Sequence, residues 1–229
     1  MALYAIGDLH LSLANDKPMD VFGDTWKNHA EKLRQGFSAL TENDLTVLCG
    51  DLSWAMDLEE ALTDFRFIDA LPGKKILLKG NHDYWWSTVA KAKKLFQSNS
   101  LETMDILNNN CFFYGEYALC GTRGWFYEEE KGVEHDKKIM RREIMRLETS
   151  LNAAGDREKL VFLHYPPVYG RYECPEILEL LEKHRVRLCC YGHLHGKSCA
   201  AAFNGWRGCT EFKLLSADFV DFSPVKLLD

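Results

Sequence analysis

Five short polar segments hold the residues of this chain that could do chemistry: Asp8-Leu9-His10, Gly50-Asp51, Gly80-Asn81-His82-Asp83, His164 and Gly192-His193-Leu194-His195. Imidazole nitrogens with carboxylate and amide oxygens, and no cysteine among them, suit manganese, iron or zinc rather than a thiolate site. The alternation in Asp8-x-His10 and His193-x-His195 lets one extended turn offer two side chains to a metal pair. Asp8, His10, Asp51, Asn81, His164, His193 and His195 make seven possible ligands, too many for one catalytic ion. With Asp51 bridging, they fill two sites about 3.5–4 Å apart, the separation of two-metal hydrolases. Each segment alone has a plainer reading. Asp-x-His recurs by chance, Gly-Asp is often only a turn, and a lone histidine can be a hydrogen-bonded core residue. The set outweighs these readings, because five of the eight histidines fall within it.

Each segment follows an apolar run: Ala2 to Gly7, Leu45 to Cys49, Ile76 to Leu78, Leu160 to Leu163 and Leu188 to Tyr191. Ligand sites of open α/β sheets form at the carboxyl ends of strands, where side chains distant in sequence converge. Between the first three runs the spacing predicts helices. One covers 25–40, with Trp26, Ala30, Leu33 and Phe37 along one stripe. Another runs from Leu58 to Leu71 and stops at Pro72-Gly73, and a third covers 86–97. Strand–helix alternation implies parallel strands with crossover helices. The second half is richer in strands, predicted at 111–114, 117–120, 160–163, 186–191, 198–203, 206–210 and 212–215, with Asn204-Gly205 as a hairpin turn. Helices are expected over 135–152, with Met140, Ile144, Leu147 and Leu151 on one face, and over 175–184. Without a linker, repeat or low-complexity tract, residues 1–229 read as one domain containing two sheets.

The 229 residues carry a net charge of −6, with 46% apolar and 27% charged side chains, as in ordinary soluble domains. The mild acidity argues against a dedicated binder of nucleic-acid backbone. No apolar run approaches the ~18–20 residues needed to cross a bilayer, and no basic segment precedes a long apolar stretch at the start. A cytoplasmic location without a membrane partner is expected, and with it eight free cysteine thiols acting mainly as small hydrophobes.

In this order the segments resemble the calcineurin-like metallophosphoesterase superfamily, whose pattern is Asp-x-His, Gly-Asp, Gly-Asn-His-Asp/Glu, His and Gly-His-x-His. Every motif is complete here, from residue 8 to residue 195. The resemblance implies an α/β fold, a four-layer αββα sandwich with two mixed sheets. It implies two divalent ions (Mn²⁺, Fe²⁺/Fe³⁺ or Zn²⁺), one held by Asp8, His10 and His195, the other by Asn81, His164 and His193, with Asp51 bridging. It further implies that His82 protonates the leaving oxygen or stabilises the transition state, and that Asp83 orients His82. A hydroxide shared by the ions would then attack the phosphorus of a small phosphoester.

Members acting as serine/threonine protein phosphatases carry an arginine after Gly-Asp and another just before Gly-Asn-His. Here Gly50-Asp51-Leu52-Ser53-Trp54 and Leu78-Lys79-Gly80-Asn81 have neither. A phosphodiester is therefore the expected substrate, ahead of a nucleotide-type monoester; an intact His82 speaks against a non-catalytic scaffold. A nuclease is the other alternative. Lys137, Lys138, Arg141, Arg142 and Arg146 could track a nucleic-acid backbone, but the interleaved Glu134, Asp136, Glu143 and Glu148 fit a solvated helix face better. Candidate substrate contacts are Tyr84, in Tyr84-Trp85-Trp86, which could stack on a ring or start a helix buried in the core; Arg123, in a glycine-bounded loop; and Arg171, flanked by Tyr169 and Tyr172. His29, His135 and His184 fall in polar helical stretches and are expected at the surface.

Overall fold

A computed structural model describes residues 1–15, 17–126 and 133–229. Strands β1 (Leu3–Ile6), β2 (Leu45–Leu48), β3 (Lys74–Leu77) and β4 (Met104–Ile106) run parallel, joined by helices α1 (His29–Phe37), α2 (Leu62–Asp69) and α3 (Val89–Ser98). The last strand, β13 (Val225–Leu228), pairs antiparallel with β1, giving the order β13-β1-β2-β3-β4. The second sheet contains β5 (Cys111–Tyr114), β6 (Tyr117–Thr122), β7 (Glu158–Leu163), β10 (Leu188–Tyr191), β11 (Gly205–Arg207) and β12 (Thr210–Leu214). Its order is β11-β12-β10-β7-β6-β5, with the inner four strands parallel and both edges antiparallel. Helices α4 (Val133–Ala153) and α5 (Pro175–Lys183) belong to this half, and β8 (Val168–Tyr169) with β9 (Tyr172–Glu173) form a small separate hairpin.

The apolar runs are continuous because both faces of each central strand are buried. On one face Leu3, Ala5, Val47 and Ile76 meet Leu119, Leu160, Phe162 and Leu188, forming the layer between the sheets. On the other, Ile6, Leu48 and Leu77 pack against Leu33, Phe37, Phe65, Ile68 and Phe96 of α1–α3. Val161, Leu163 and Tyr191 likewise pack against Met140, Leu147, Leu151, Ile177 and Leu181 of α4 and α5. The result is the expected αββα sandwich of two mixed sheets. All eight cysteines are free and five of them are buried in these layers. No described helix is long and apolar enough to cross a membrane.

Several boundaries differ from expectation. The 25–40 helix is broken at Asn28, which is left-handed (φ 53°): a short 3₁₀ turn over Asp24–Trp26 comes first, and α1 starts only at His29. Leu58 precedes α2 rather than lying within it. The 86–97 helix starts at Val89, where the Thr88 hydroxyl accepts the Lys91 N–H at 3.2 Å. Residues 198–203 are not a strand. A 3₁₀ turn covers Gly196–Ala201, because the Ser198 hydroxyl accepts the His195 N–H at 2.9 Å and ties the chain back on itself. The hairpin of β11 and β12 turns at Gly208-Cys209, with Gly208 at φ 58°, and not at Asn204-Gly205. Asn204 instead accepts the Leu214 N–H through its side-chain oxygen at 2.8 Å.

Candidate metal centre

The loops leaving β1, β2, β3, β7 and β10 all emerge at the same edge of the sandwich and are laced to one another. The Asp8 N–H donates to the Gly50 carbonyl (2.8 Å), and the His10 N–H to that of Asp51 (2.9 Å). The Gly192 N–H donates to the His164 carbonyl (3.1 Å), and the His193 N–H to the Asp8 carboxylate (2.9 Å to Oδ2). Two glycines are required by this closeness. A Cβ on Gly80 would lie 2.0 Å from Asp51 Oδ1, and one on Gly192 2.2 Å from Asp8 Oδ2. Four of the seven candidate ligands adopt the left-handed backbone region that favours glycine: Asp8 (φ 60°), His10 (φ 46°), Asp51 (φ 52°) and His193 (φ 73°).

The seven side chains converge as two groups. In the first, His10 Nε2 and His195 Nε2 are 3.3 Å apart and Asp8 Oδ1 is 3.4 Å from His195 Nε2. In the second, Asn81 Oδ1 is 2.6 Å from His164 Nε2 and 2.9 Å from His193 Nδ1, and those nitrogens are 3.3 Å apart. Asp51 Oδ2 stands between the groups, 3.8 Å from His10 Nε2 and 3.5 Å from His164 Nε2. That oxygen is buried and has no hydrogen-bond partner among the described residues. The His164 Nδ1–H donates to the Cys49 carbonyl (3.0 Å) and the His195 Nδ1–H to Asp218 Oδ1 (2.8 Å), so each ring turns its Nε2 inward. Burial first, then positive neighbours, pushes His164 and His193 down to about 3, which keeps both neutral. Burial and the surrounding histidines lower His10 as well. Burial also pulls on His195, but the Asp8 and Asp218 carboxylates outweigh it and lift it to about 10. The Asp51 carboxyl is raised by burial and by the charges of Asp83 and Asp8. The neutral rings of His10, His164 and His193 gather around the buried Asp51 oxygen, and the carboxylates that favour a cation on His195 would equally favour a metal ion in its place, so this donor set fits two divalent cations.

His82 and Asp83 do not pair as expected. The Asp83 carboxylate is buried and accepts five donors: the backbone N–H of Gly80 (2.7 Å), Asp51 (2.9 Å), Leu52 (2.8 Å) and Ser53 (3.3 Å), and the Trp85 indole N–H (2.9 Å). With its oxygens so occupied, it clamps the Asp51 loop to the Asn81 loop, and the His82 ring is held by other groups. His82 Nδ1 lies 3.1 Å from the Tyr84 hydroxyl, its backbone N–H donates to Asp51 Oδ1 (2.7 Å), and its ring centroid is 4.5 Å from that of Trp54. Burial, then the Lys17 charge, lowers its pKa. The Tyr84-Trp85-Trp86 run therefore divides its tasks. Tyr84 is exposed beside His82, Trp85 is core and holds Asp83, and no helix begins there.

A family pattern described as calcineurin-like phosphoesterase matches residues 1–197, which include every one of these segments. The chain belongs to the calcineurin-like phosphoesterase family. No curated protein matches it. Among solved structures it is similar to a phosphopantetheinyl hydrolase from Mycobacterium tuberculosis, with TM-score 0.60, 13% identity, and 99% of this chain and 95% of that one covered. It is also similar to a protein of unknown function from Aquifex aeolicus (TM-score 0.50, 16% identity, 98% and 95% covered). A Thermus thermophilus protein matches as well (TM-score 0.51, 12% identity, 99% and 97% covered). Such identities show a shared fold.

Around the centre of this calcineurin-like phosphoesterase family member lie residues that sequence reasoning placed differently or missed. Arg123 offers its carbonyl to the N–H groups of His164 (3.0 Å) and Tyr165 (2.9 Å), while its guanidinium sits 3.6 Å from Glu143 in a side cavity. Arg171 is exposed at the turn of the β8–β9 hairpin, and no hydrogen bond or ion pair among the described residues ties it to the centre. His29 is not a surface residue; half-buried beside Trp26, it donates to the His10 carbonyl (3.2 Å). Asp218 had no local motif to announce it. Its second oxygen also accepts the Gly196 N–H (2.9 Å), fixing both His195 and its loop. Trp54 stacks on His10 (centroids 5.1 Å, 23° between planes). Together with Met19, Phe22 and Trp26 it walls an apolar cleft of about 400 Å³ whose floor is His10, His82 and His195.

Proposed function

We propose that this chain is a dinuclear metal-dependent phosphoesterase acting on a small phosphodiester, with Mn²⁺, iron or Zn²⁺ held by the seven converging residues. The single observation behind this reading is the buried Asp51 Oδ2, unpartnered and poised between the two ligand groups. When bound, such a pair supplies an acidified water and neutralises charge on the phosphoryl oxygens. The protein's own residues do the rest. The Asp83 clamp holds the Asp51 and Asn81 loops in register, and Cys49 and Asp218 fix the ring faces of His164 and His195. His82, braced by Trp54 and Tyr84 and lining the apolar cleft, gives a proton to the departing oxygen.

The preference for a diester rests on the surroundings. A monoester dianion calls for bidentate guanidinium groups beside the metals. After Asp51, Leu52 is buried, the Ser53 hydroxyl donates to Asp64 (2.5 Å) and Trp54 faces the cleft, while Lys79 turns into the side cavity. The acidic net charge of −6 favours a small substrate over a polynucleotide. The test compares bis-p-nitrophenyl phosphate with p-nitrophenyl phosphate on Mn²⁺-loaded protein, with Asp51→Asn as the blank. Metal-dependent cleavage of the diester, lost in the blank, is expected. Faster cleavage of the monoester would overturn the diester reading, and no cleavage of either would overturn the enzymatic one.

A further inference from the structure

A second cavity, about 480 Å³, opens at the same edge of the sandwich as the candidate centre. The centre's loops leave β1, β2, β3, β7 and β10. The cavity is lined from the ends of β3 (Lys79), β4 (Asn108) and β6 (Thr122, Arg123), with Glu143 and Arg146 of α4 across from them. It therefore lies one strand along from the centre in both sheets, because β4 neighbours β3 and β6 neighbours β7. The cavity is also tied to the centre through the chain and by a hydrogen bond: Lys79 is two residues before Asn81, and the Arg123 carbonyl accepts the His164 N–H at 3.0 Å.

Three cations surround this cavity against a single carboxylate. Glu143 is 1% exposed and its oxygens are already taken, by the Thr122 hydroxyl (2.6 Å) and by Arg146 (2.5 Å), with Arg123 at 3.6 Å. Among the described residues Lys79 has no carboxylate partner, and the buried Arg123 Nε has no hydrogen-bond partner. A solvated face would spread such charges or pair them one to one; here Arg123 and Arg146 share one carboxylate and Lys79 has only the Trp86 ring, 5.8 Å away, so the recess keeps a net positive charge. The first turn of α3, a ten-residue helix, closes the wall at Ser87 to Val89. Thr88 caps only the Lys91 N–H, so the earliest amides of the helix have no intrahelical acceptor and add a positive end to the recess.

We propose that this cavity is an anion subsite for a second phosphate group of the substrate, one that is not hydrolysed. Several donors around a common space match the three oxygens of a terminal phosphate. The inference rests on the phosphoesterase reading for the phosphate at the metals, and on the cavity's own charges for this one. It narrows the substrate class to phosphoesters carrying a further phosphate, which enters on the β4/β6 side while the leaving group occupies the apolar cleft beside His82.

The experiment uses Mn²⁺-loaded protein and two esters, the 5′-(p-nitrophenyl phosphate) of thymidine with either a 3′-hydroxyl or a 3′-phosphate. The 3′-phosphate ester is expected to show kcat/KM at least about tenfold higher, carried in KM, as a new charged hydrogen-bonding group would give. In Lys79→Gln that ratio should collapse towards one; because the ratio is taken within each protein, general damage by the substitution cancels. A ratio near one in the wild type, or a ratio unchanged in Lys79→Gln, overturns the subsite. If neither ester is cleaved, the phosphoesterase reading has failed, and calorimetric titration of the metal-free protein with inorganic pyrophosphate decides the subsite separately. Binding that weakens about tenfold in Lys79→Gln sustains it; no binding, or equal binding to both proteins, overturns it.

Discussion

Replacing Asp83 by asparagine keeps the shape of the side chain and removes one acceptor oxygen. The carboxylate is buried and serves two sets of donors: Oδ2 takes the N–H of Asp51 and Gly80, and Oδ1 takes Leu52, Ser53 and the Trp85 indole. The best asparagine rotamer keeps its oxygen at the second position and turns its NH₂ onto the N–H groups of Asp51 and Gly80. Two hydrogen bonds to a charged group, each contributing ~1.5–3 kcal/mol, then disappear, for ~3–6 kcal/mol. Neutralising Asp83 also relieves the repulsion that raises Asp51, so the lower figure, ~3 kcal/mol, is the expected net loss. Urea unfolding with Mn²⁺ present should show it as a lower midpoint at unchanged slope, and equilibrium dialysis should show metal occupancy falling in parallel. A loss below ~1 kcal/mol with occupancy intact would refute the clamp, since two lost charged hydrogen bonds cannot cost so little. If occupancy holds and only esters with poor leaving groups slow, Asp83 acts through His82 after all.

His82→Ala should slow diesters of alkyl alcohols by ~10²–10⁴-fold but p-nitrophenyl esters far less, since p-nitrophenolate departs without a proton; equal losses would remove His82 as the acid. Asp218→Asn loosens His195 and should weaken metal binding ~10–100-fold, read by chelator competition, with a normal melting temperature in saturating Mn²⁺; unchanged affinity would make the contact incidental. Gly192→Ala places a methyl group where Asp8 Oδ2 stands, 2.2 Å away, so elemental analysis should find one bound ion in place of two, and two retained ions would contradict the packing described.

The ligands were legible in the sequence because each sits immediately after an apolar run, and the runs were legible because they are buried on both faces. The role of Asp83 was not, because its five partners are mostly backbone N–H groups, which no residue type advertises. Asp218 lies 23 residues from the ring it orients and follows a strand that contributes no ligand. The break before α1 comes from a single left-handed residue, Asn28, in a stretch whose apolar spacing stays helical throughout. Residues 198–203 were misread for a related reason: one serine hydroxyl bonding to the backbone overrode the apolar run around it. Strand β4 has three residues, too few for any periodicity to appear.

The left-handed backbone at Asp8, His10, Asp51 and His193 has an evolutionary side. For a residue with a Cβ this conformation costs ~1–2 kcal/mol, somewhat less for Asp. Relief therefore lies one substitution away at positions where glycine cannot hold a metal. Selection for melting temperature alone has no stake in the metal, so any substitution here whose relief exceeds the packing it gives up would yield a sturdier protein with an empty purpose. Any thermostabilised descendant of this chain needs to be screened for bound metal at each round, because the fold and its chemistry compete for the same few residues.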